Sequence, residues 1–413
     1  MSTLTASVTP SSPHDTPRDS ARDTLRVLPR TGGQERLRVL VVTESFLPAV
    51  NGVTNSVRRV LEHLAEEGHV AELVAPSGPA TYCGFPVTQA FSTPLPWYPN
   101  FRLGLETRRR LRQVMLRFRP DVVHIASPAT LGHQAALAAA QCGVPSVAIY
   151  QTDMVSFADR YVPGAGGRAM AALTRRIHTR VDRTLAPSTA SLTQLEALDV
   201  PETYRWPRGV DAVSFHPRHR DEAWRRDLAP DGRALVGYVG RLAAEKELDL
   251  LVALHADPRL RLLVVGGGPD EERLRAMLPD AHFLGVLHGA DLSRAHASLD
   301  VFVHTGRHET YCQSAQEALA SGVPVVAPRE GGPVDVVPDG VGGLLFTPGD
   351  ATALAAHVGR LLDDPDLRRR MGRQARTAVE GRTWRAVNEA LVGHYRAVVG
   401  ARAAAERRSR SAV

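Results

Sequence analysis

The sequence contains very little lysine, isoleucine, asparagine or cysteine. Lys246 is the one lysine among 50 basic residues, and isoleucine and asparagine occur only three and four times. The codons for these three residues are rich in A and T, so a GC-rich genome explains both their scarcity and the many arginines. The arginine content is therefore no sign of function by itself, whereas a lysine kept against this bias is a candidate functional residue.

Several classes of protein are excluded by what the chain lacks. Its three cysteines are scattered and odd in number, which argues against a disulfide framework or a cysteine-based metal site and favours a reducing, cytoplasmic compartment. The net charge of +6 is modest and no zinc-finger or RNP motif occurs, so we expect no nucleic-acid partner. No apolar run approaches the length of about 20 residues that a transmembrane helix needs.

Short apolar runs alternate with amphipathic stretches from residue 37 onward, and the pattern restarts at residue 234. Continuous apolar strands separated by helices are typical of an α/β fold with parallel, doubly wound sheets. We therefore predict two Rossmann-like domains that face a cleft, with ligands bound beyond the carboxyl ends of the strands. The predicted segments are a disordered leader (1–36), a first domain (37–204), a second domain (205–379), a helix that packs back on the first domain (380–400) and a disordered tail (401–413).

Two turns after apolar strands are candidate phosphate sites. The segment ESFLPAVNGV lies between a strand and a helix, so backbone N–H groups near Gly52 would face an anion. In YVGRLAAEKELDLL, Arg241 follows a strand and Lys246 lies five residues later. A planar guanidinium and a compact ammonium at this position suit a diphosphate. Neither turn has the glycine pattern of a dinucleotide site or a P-loop, and an ordinary structural loop remains the alternative for the first.

Two glutamates separated by seven residues occur in HETYCQSAQEALASGVPVVA (308–327). Glu309 falls in the loop after a predicted strand, and Glu317 falls in the helix that follows. Each carboxylate can accept hydrogen bonds from sugar or ribose hydroxyls. The backbone N–H groups of Tyr311, Cys312 and Gln313 lie at the helix start and can bind further acceptors. An unrelated pair of surface glutamates is the alternative interpretation.

The segment LETRRRLRQVMLRFRP (105–120) predicts an amphipathic helix with an apolar face and an arginine-rich face. The segment PLPWYPNF lies just before it and carries three aromatic residues. Aromatic residues beside a basic helix suit the interface of an anionic membrane, although a core-packed helix with a solvated face has the same pattern. The predicted membrane contacts are Arg108, Arg109, Arg112, Arg119 and Trp97.

Together these features resemble the retaining GT-B glycosyltransferases of family 4, and among them the actinobacterial GDP-mannose-dependent α-mannosyltransferases that act on lipid acceptors. The segments that carry the resemblance include PAVNGVTNS, DVVHIASPATLG, YQTD, WPRGVD, GYVGRLAAEK and HETYCQSAQEALASGVPVVAP. The resemblance covers residues 37–400. It implies an enzyme that moves mannose from GDP-mannose to a hydroxyl of a lipid or glycolipid, with no metal or cofactor. The sequence favours a cytoplasmic location, and the membrane interpretation of the arginine-rich helix would place the enzyme peripherally on the inner face of the plasma membrane. The alternatives are a nucleotide-sugar epimerase and a non-catalytic nucleotide-sugar binder of the same fold.

The resemblance also implies roles for individual residues. Arg241 and Lys246 match the pair that binds the donor diphosphate, and Gly52 matches a glycine turn near that group. Glu309 matches the glutamate beside the transferred hexose, and Glu317 matches the residue on the nucleoside ribose. The remaining donor contacts are the backbone at Tyr311, Cys312 and Gln313, and the further catalytic candidates, on the acceptor side, are His124 and Asp153.

Overall fold

The structure is a computed structural model that describes residues 36–49, 51–95, 98–153, 155 and 164–411. Almost all of the expected leader, and the candidate membrane residue Trp97, lie outside the described residues. Within the described residues, no helix is both long enough and apolar enough to cross a membrane.

The first domain is built on an eight-stranded sheet. Its strands are β1 (Arg38–Val42), β2 (Val70–Ala75), β3 (Thr81–Tyr82), β4 (Phe85–Gln89), β7 (Val122–Ile125), β8 (Ser146–Ile149), β9 (Arg183–Ala186) and β10 (Thr203–Arg205), while β5 (Ser92–Leu95) and β6 (Tyr98–Gly104) form a separate hairpin. The order is β10-β9-β8-β7-β1-β2-β4-β3, and every neighbouring pair except β3 and β4 is parallel. Short side chains and continuous apolar runs allow helices to cover both faces of such a sheet.

Five helices of this domain are described. They are α1 (Gly52–Glu66), α2 (Arg108–Phe118), α3 (Thr130–Cys142), α4 (Ala165–His178) and α5 (Thr189–Glu196). Helix α1 begins where the Asn51 side chain accepts the Thr54 N–H at 2.9 Å, because such a cap satisfies an N–H group that has no partner inside the helix. Its buried face carries Val57, Val60 and Leu61, which pack against β1 and β2 in one core.

The second domain contains a six-stranded, fully parallel sheet. Its strands are β11 (Ala234–Val239), β12 (Leu260–Val265), β13 (His282–Gly285), β14 (Val301–Val303), β15 (Val325–Pro328) and β16 (Gly343–Phe346), in the order β13-β12-β11-β14-β15-β16. This is the 3-2-1-4-5-6 order of a doubly wound fold, so the order reverses between β11 and β14. Ligands of such sheets bind beyond the carboxyl ends of the strands at that reversal.

The helices of the second domain depart from the prediction at two places. They are α6 (Glu222–Leu228), α7 (Val252–His255), α8 (Glu271–Met277), α9 (Gly289–Ser298), α10 (Gln313–Ala320), α11 (Pro333–Val336), α12 (Ala351–Asp363) and α13 (Pro365–Val379). The sequence pattern of residues 245–256 predicts one helix, but the segment begins as two 3₁₀ turns, because Glu247 takes a left-handed conformation with φ 50°. The sequence pattern of residues 351–379 predicts one long helix, but the chain forms two, because Pro365 has no N–H to donate and starts a new helix.

The last helix, α14 (Trp384–Ser411), returns to the first domain. Leu391, Val392 and Tyr395 are buried in the same core as α1 and β1, and the Trp206 indole N–H donates to the Val387 carbonyl at 2.9 Å. The expectation of disorder after residue 400 is wrong for residues 401–411, which continue the helix. The segment ARAAAERRSR is rich in alanine and arginine, which both favour helix.

Candidate active site

Lys246 and Glu309 meet between strands β11 and β14, where the strand order of the second domain reverses. Lys246 ends the 3₁₀ turn after β11, and its ammonium Nζ lies 2.5 Å from Glu309 Oε1. Burial opposes the charge on Lys246, but the Glu309 carboxylate outweighs it and raises the pKa of the lysine. Arg241 follows the same strand and pairs with Glu245 through a very short contact. The two cations are thus held by two carboxylates at one edge of the sheet.

His304 is a second partner of Glu309 that the sequence reasoning did not identify as a site residue. It follows β14, is only 2% exposed, and its Nε2 lies 3.3 Å from Glu309 Oε1. Its ring stacks on Tyr238, with the ring centroids 6.1 Å apart. Burial would lower the pKa of His304, but the neighbouring Cys312 and Glu309 raise it to about 10. Burial would likewise raise the pKa of Glu309, yet Lys246 and His304 hold it well below its ordinary range, so this carboxylate stays ionised.

The start of α10 presents backbone N–H groups near this cluster. Cys312 precedes the helix with φ 75° and ψ 68°, and its own side chain does not cap the N-terminus of the helix. The first N–H groups of a helix have no partner inside it, so this end suits an anion or a hydroxyl oxygen. The preceding Tyr311 is buried, and its hydroxyl donates to the Arg208 carbonyl at 3.1 Å, while the Gln313 side chain donates to the Gly209 carbonyl at the same distance.

Glu317 lies one turn into α10 and faces a different environment from Glu309. Its side chain is 15% exposed, and the nearest cationic candidate is His296 Nε2, 3.7 Å from Glu317 Oε2. Burial lowers the pKa of His296 to about 3, so this imidazole is neutral. Burial also raises the pKa of Glu317 to about 8, which leaves the carboxyl group largely protonated at neutral pH. The two glutamates therefore carry different charges in this structure.

Arg208 is the other site residue that the sequence reasoning missed. Its side chain is buried below the Gly52 turn, where Nη1 donates to the Gly52 carbonyl at 2.7 Å and Nη2 donates to Gln151 Oε1 at 3.0 Å. A Cβ added to Gly52 would lie 3.2 Å from Nη1, so the absence of a side chain allows this close approach. The signal was present in the segment WPRGVD, but one arginine among so many did not stand out.

Asp153 faces the cleft from the first domain. Its carboxylate accepts a hydrogen bond from the Gln194 side chain at 3.0 Å. Both residues line a cavity of about 290 Å³ whose other wall includes His308 and Glu309 of the second domain. The structure thus brings Asp153 together with Glu309, as an acceptor-side candidate requires.

His124 does not lie in the site, so its assignment as a catalytic candidate is wrong. The residue is 1% exposed, and its Nδ1 lies 2.6 Å from the Tyr395 hydroxyl of α14. Burial lowers the pKa of His124 to about 3, which leaves a neutral imidazole. Its contacts hold the last helix on the first domain and leave it no access to a substrate.

Comparison with known proteins decides the family. A model of glycosyltransferase family 4 matches residues 50–213, and a model of glycosyl transferases group 1 matches residues 220–378. The GDP-mannose-dependent alpha-mannosyltransferase of Mycolicibacterium smegmatis is 49% identical over 374 residues, which cover 89% of this chain and 99% of that protein. This chain belongs to family 4 of the glycosyltransferases. The enzyme of the same name from Corynebacterium glutamicum is 41% identical, with 88% and 89% of the two chains covered.

Solved structures confirm the predicted fold of this glycosyltransferase. Sucrose-phosphate synthase from Thermosynechococcus elongatus superposes with a TM-score of 0.75 at 21% identity, covering 89% of this chain and 100% of that chain. Anabaena HepE in complex with UDP gives a TM-score of 0.73 at 19% identity, with 87% and 100% covered. Likeness at this level of identity shows the fold alone, and the fold is GT-B, with two Rossmann-like domains.

Proposed function

We propose that this glycosyltransferase moves mannose from GDP-mannose to a hydroxyl of a lipid or glycolipid acceptor, with retention of configuration. The relatives at 41–49% identity are named for GDP-mannose and α-mannosyl transfer, which supports the donor and the sugar. The observation that carries the chemistry is the ionised Glu309, flanked by Lys246 at 2.5 Å and His304 at 3.3 Å at the carboxyl edge of the second sheet. A fixed carboxylate beside a cation suits a sugar that becomes positive while its diphosphate leaves.

The proposed reaction is a direct displacement at one face of the sugar. The bond between the anomeric carbon and the diphosphate breaks as the acceptor oxygen forms its bond to that carbon from the same side. The acceptor proton passes to the departing diphosphate, so the products are the mannoside and GDP. Arg241 and Lys246 stabilise the charge that grows on the leaving group, and Glu309 stabilises the positive sugar. The Glu317 carboxyl group receives the ribose hydroxyls.

A donor panel with a lipid extract tests this function. The purified chain is incubated with GDP-mannose, UDP-glucose or ADP-glucose and the extract, and lipid products are analysed by mass. We expect a hexose to be added to a lipid only with GDP-mannose, together with release of GDP. Addition from another donor would contradict the choice of GDP-mannose. Isomerisation of the donor without release of GDP would indicate an epimerase, and an unchanged donor would indicate a binding protein.

We also infer that helix α2 docks the enzyme on an anionic membrane. Arg109 and Arg112 are exposed and lie on one helical face with Leu116, whose side chain is 62% exposed. Phe91 is 67% exposed and its carbonyl accepts the N–H of the exposed Leu105 at 2.8 Å, which extends this apolar and basic surface. Such a mixture of exposed apolar and basic side chains matches the requirements of an anionic lipid surface.

The environments of the other basic residues of α2 support the same inference. Arg110 and Arg117 pair with Glu106 and Glu72, whereas no ion pair is found for Arg109 or Arg112 within the described residues. The unpaired charges therefore gather on the outward face. Arg119 is exposed at the end of the helix and Arg108 is half-buried at its start.

Vesicle co-sedimentation tests the membrane surface. We expect the double variant Arg109→Gln, Arg112→Gln to bind vesicles that contain anionic lipid about 30-fold more weakly, at roughly 1 kcal/mol for each charge. The matched control is Arg370→Gln, Arg373→Gln on the exposed face of α13, which removes the same charge from the second domain. Equal weakening by both pairs, or binding that does not respond to anionic lipid or salt, would contradict docking through α2.

A further inference from the structure

Arg208 joins the two domains at the point where the chain passes from one to the other. Its guanidinium donates to the Gly52 carbonyl and to Gln151 Oε1, both in the first domain. Its own carbonyl accepts from the Tyr311 hydroxyl at 3.1 Å and from the Gln316 side chain at 3.2 Å, both in the second domain. The turn before α1 and the segment between the two site glutamates are therefore held at one residue.

The charge on this side chain has no anionic partner in the part of the chain that the structure describes. Within the described residues, no carboxylate oxygen lies within 4 Å of the Arg208 guanidinium, which is 6% exposed. By contrast, the half-buried Arg225 pairs with Asp300 at 2.8 Å. Burial of a cation without a counter-charge lowers the stability of the fold. A protein therefore retains such a cation where an anionic ligand binds beside it, or where its electric field acts on the site. Its charge acts on both Glu309 and Glu317.

The two hydrogen bonds of the guanidinium go to neutral oxygens, so they orient the group without cancelling its charge. Burial lowers the pKa of Arg208 only to about 10, which leaves the side chain positive at neutral pH. The group lies behind the first turn of α1, a helix of 15 residues whose N-terminal N–H groups face the cleft side of the sheet. A cation here adds to the field of the helix end.

We propose that Arg208 supplies a third positive charge to the diphosphate of the donor, from behind the Gly52 turn, beside the charges of Arg241 and Lys246. It acts through space and through the atoms it orients, Gly52 and Gln151, so it is a positioning residue. The proposal rests on the proposed function only in requiring a nucleoside diphosphate as the leaving group. It is independent of the base and of the sugar.

A series of ligands with increasing phosphate charge tests the proposal. Binding of guanosine, GMP and GDP to wild-type and Arg208→Gln chains is measured by calorimetry, and UDP or ADP series replace these if the wild-type chain binds those instead. Because the base is chosen by what the wild-type chain binds, a wrong prediction of the donor base is distinguished from a wrong role for Arg208. We expect unchanged affinity for guanosine and a loss that grows with phosphate charge, to about tenfold or more for the diphosphate. An equal loss for all three ligands, or no loss for GDP, would overturn the proposal.

The conservative variant gives a second test that does not depend on the stability of Arg208→Gln. Arg208→Lys keeps a charge, but burial lowers the pKa of lysine readily, so this charge is lost as the pH rises. We expect the affinity of Arg208→Lys for GDP, relative to wild type, to fall between pH 7 and 9.5, with no such fall for guanosine. A ratio that stays constant with pH would refute an electrostatic role.

Arg376 provides the matched control. Its guanidinium donates to the carbonyls of Ala212, Phe215 and Ala320 in the interior of the second domain, so it is also a largely buried arginine bonded to neutral oxygens. It differs from Arg208 in that its Nε also lies 3.6 Å from the exposed Glu380 carboxylate. Arg376→Gln should lower the stability of the fold without a loss that depends on phosphate charge. If Arg376→Gln also loses affinity in proportion to phosphate charge, the ligand series reports general destabilisation, and this would overturn the inference.

Discussion

Replacement of Lys246 by methionine removes one ammonium and keeps most of the apolar stem of the side chain. The ammonium lies 2.5 Å from Glu309, and each of the two side chains is about one-fifth exposed. Loss of one preorganised group that stabilises developing charge typically lowers the rate by about 10²–10³. We therefore expect kcat/KM for the donor to fall by about that factor in Lys246→Met.

The same substitution also affects stability, and the two effects must be separated. Removal of one partner of a buried ion pair costs about 3–5 kcal/mol. We expect a smaller cost of about 1–3 kcal/mol here, because the pair is partly exposed and His304 remains 3.3 Å from Glu309. Urea unfolding measures the stability, and release of GDP under conditions where both chains are folded measures the rate. A folded Lys246→Met chain with nearly wild-type kcat/KM would refute the role in binding the diphosphate.

The scarcity of lysine allows a direct observation of this residue. Reductive methylation with ¹³C-formaldehyde labels the Lys246 side chain and the N-terminal amine, and the latter titrates near pH 8. Because Glu309 raises the pKa of Lys246, we expect its signal to titrate above the ordinary range of lysine, and to shift when GDP is added. Glu309→Gln should lower this pKa, since burial is then opposed mainly by the more distant charge of Glu245. A signal that ignores both GDP and Glu309→Gln would contradict the assigned geometry.

Two further predictions follow from the buried groups around the site. Burial raises the pKa of Glu317 to about 8, so its carboxyl group ionises as the pH rises. A carboxylate accepts hydrogen bonds from ribose hydroxyls more strongly than a carboxylic acid does. We therefore expect KM for the donor to fall by up to about tenfold from pH 7 to 9. Steady-state kinetics measures this, and Glu317→Gln should abolish the change. Tyr395→Phe leaves the buried His124 without its partner, which should cost about 1–3 kcal/mol in urea unfolding while kcat per folded enzyme is unchanged.

The main strands could be predicted because buried parallel strands are continuous apolar runs, and β1, β2, β11 and β12 all have this pattern. The hairpin of β5 and β6 was missed, since the prolines in PLPWYPNF weaken any strand pattern there. Strand β10 (Thr203–Arg205) has no apolar run that marks it in the sequence, and β16 (Gly343–Phe346) directly follows glycines that indicate a turn. These two strands were therefore defined only by their neighbours in the folded sheet.

In the candidate site, residues that lie close together in the chain could be predicted, whereas a residue that contacts the others only after folding could not. Arg241 and Lys246 share one turn, and Glu309 and Glu317 share one loop and helix, so each pair could be identified as a contiguous pattern. Arg208 is a site residue only because distant segments converge on it, 156 residues from Gly52 in the chain. Composition hid it further, because arginine is the usual basic residue of this sequence.

His124 was assigned to the site by the family resemblance, whereas the pattern of its own strand places it elsewhere. Side chains of a strand alternate between its two faces, so His124 shares a face with Val122, while Val123 and Ile125 point to the other face. Val122 lies in the core that contains α1 and α14, and Val123 and Ile125 lie in the core that contains α2 and α3. The alternation alone therefore assigns His124 to the face under α14. This face is covered by Tyr395, which lies 271 residues later in the chain. The contact forms only because the last helix returns to the first domain.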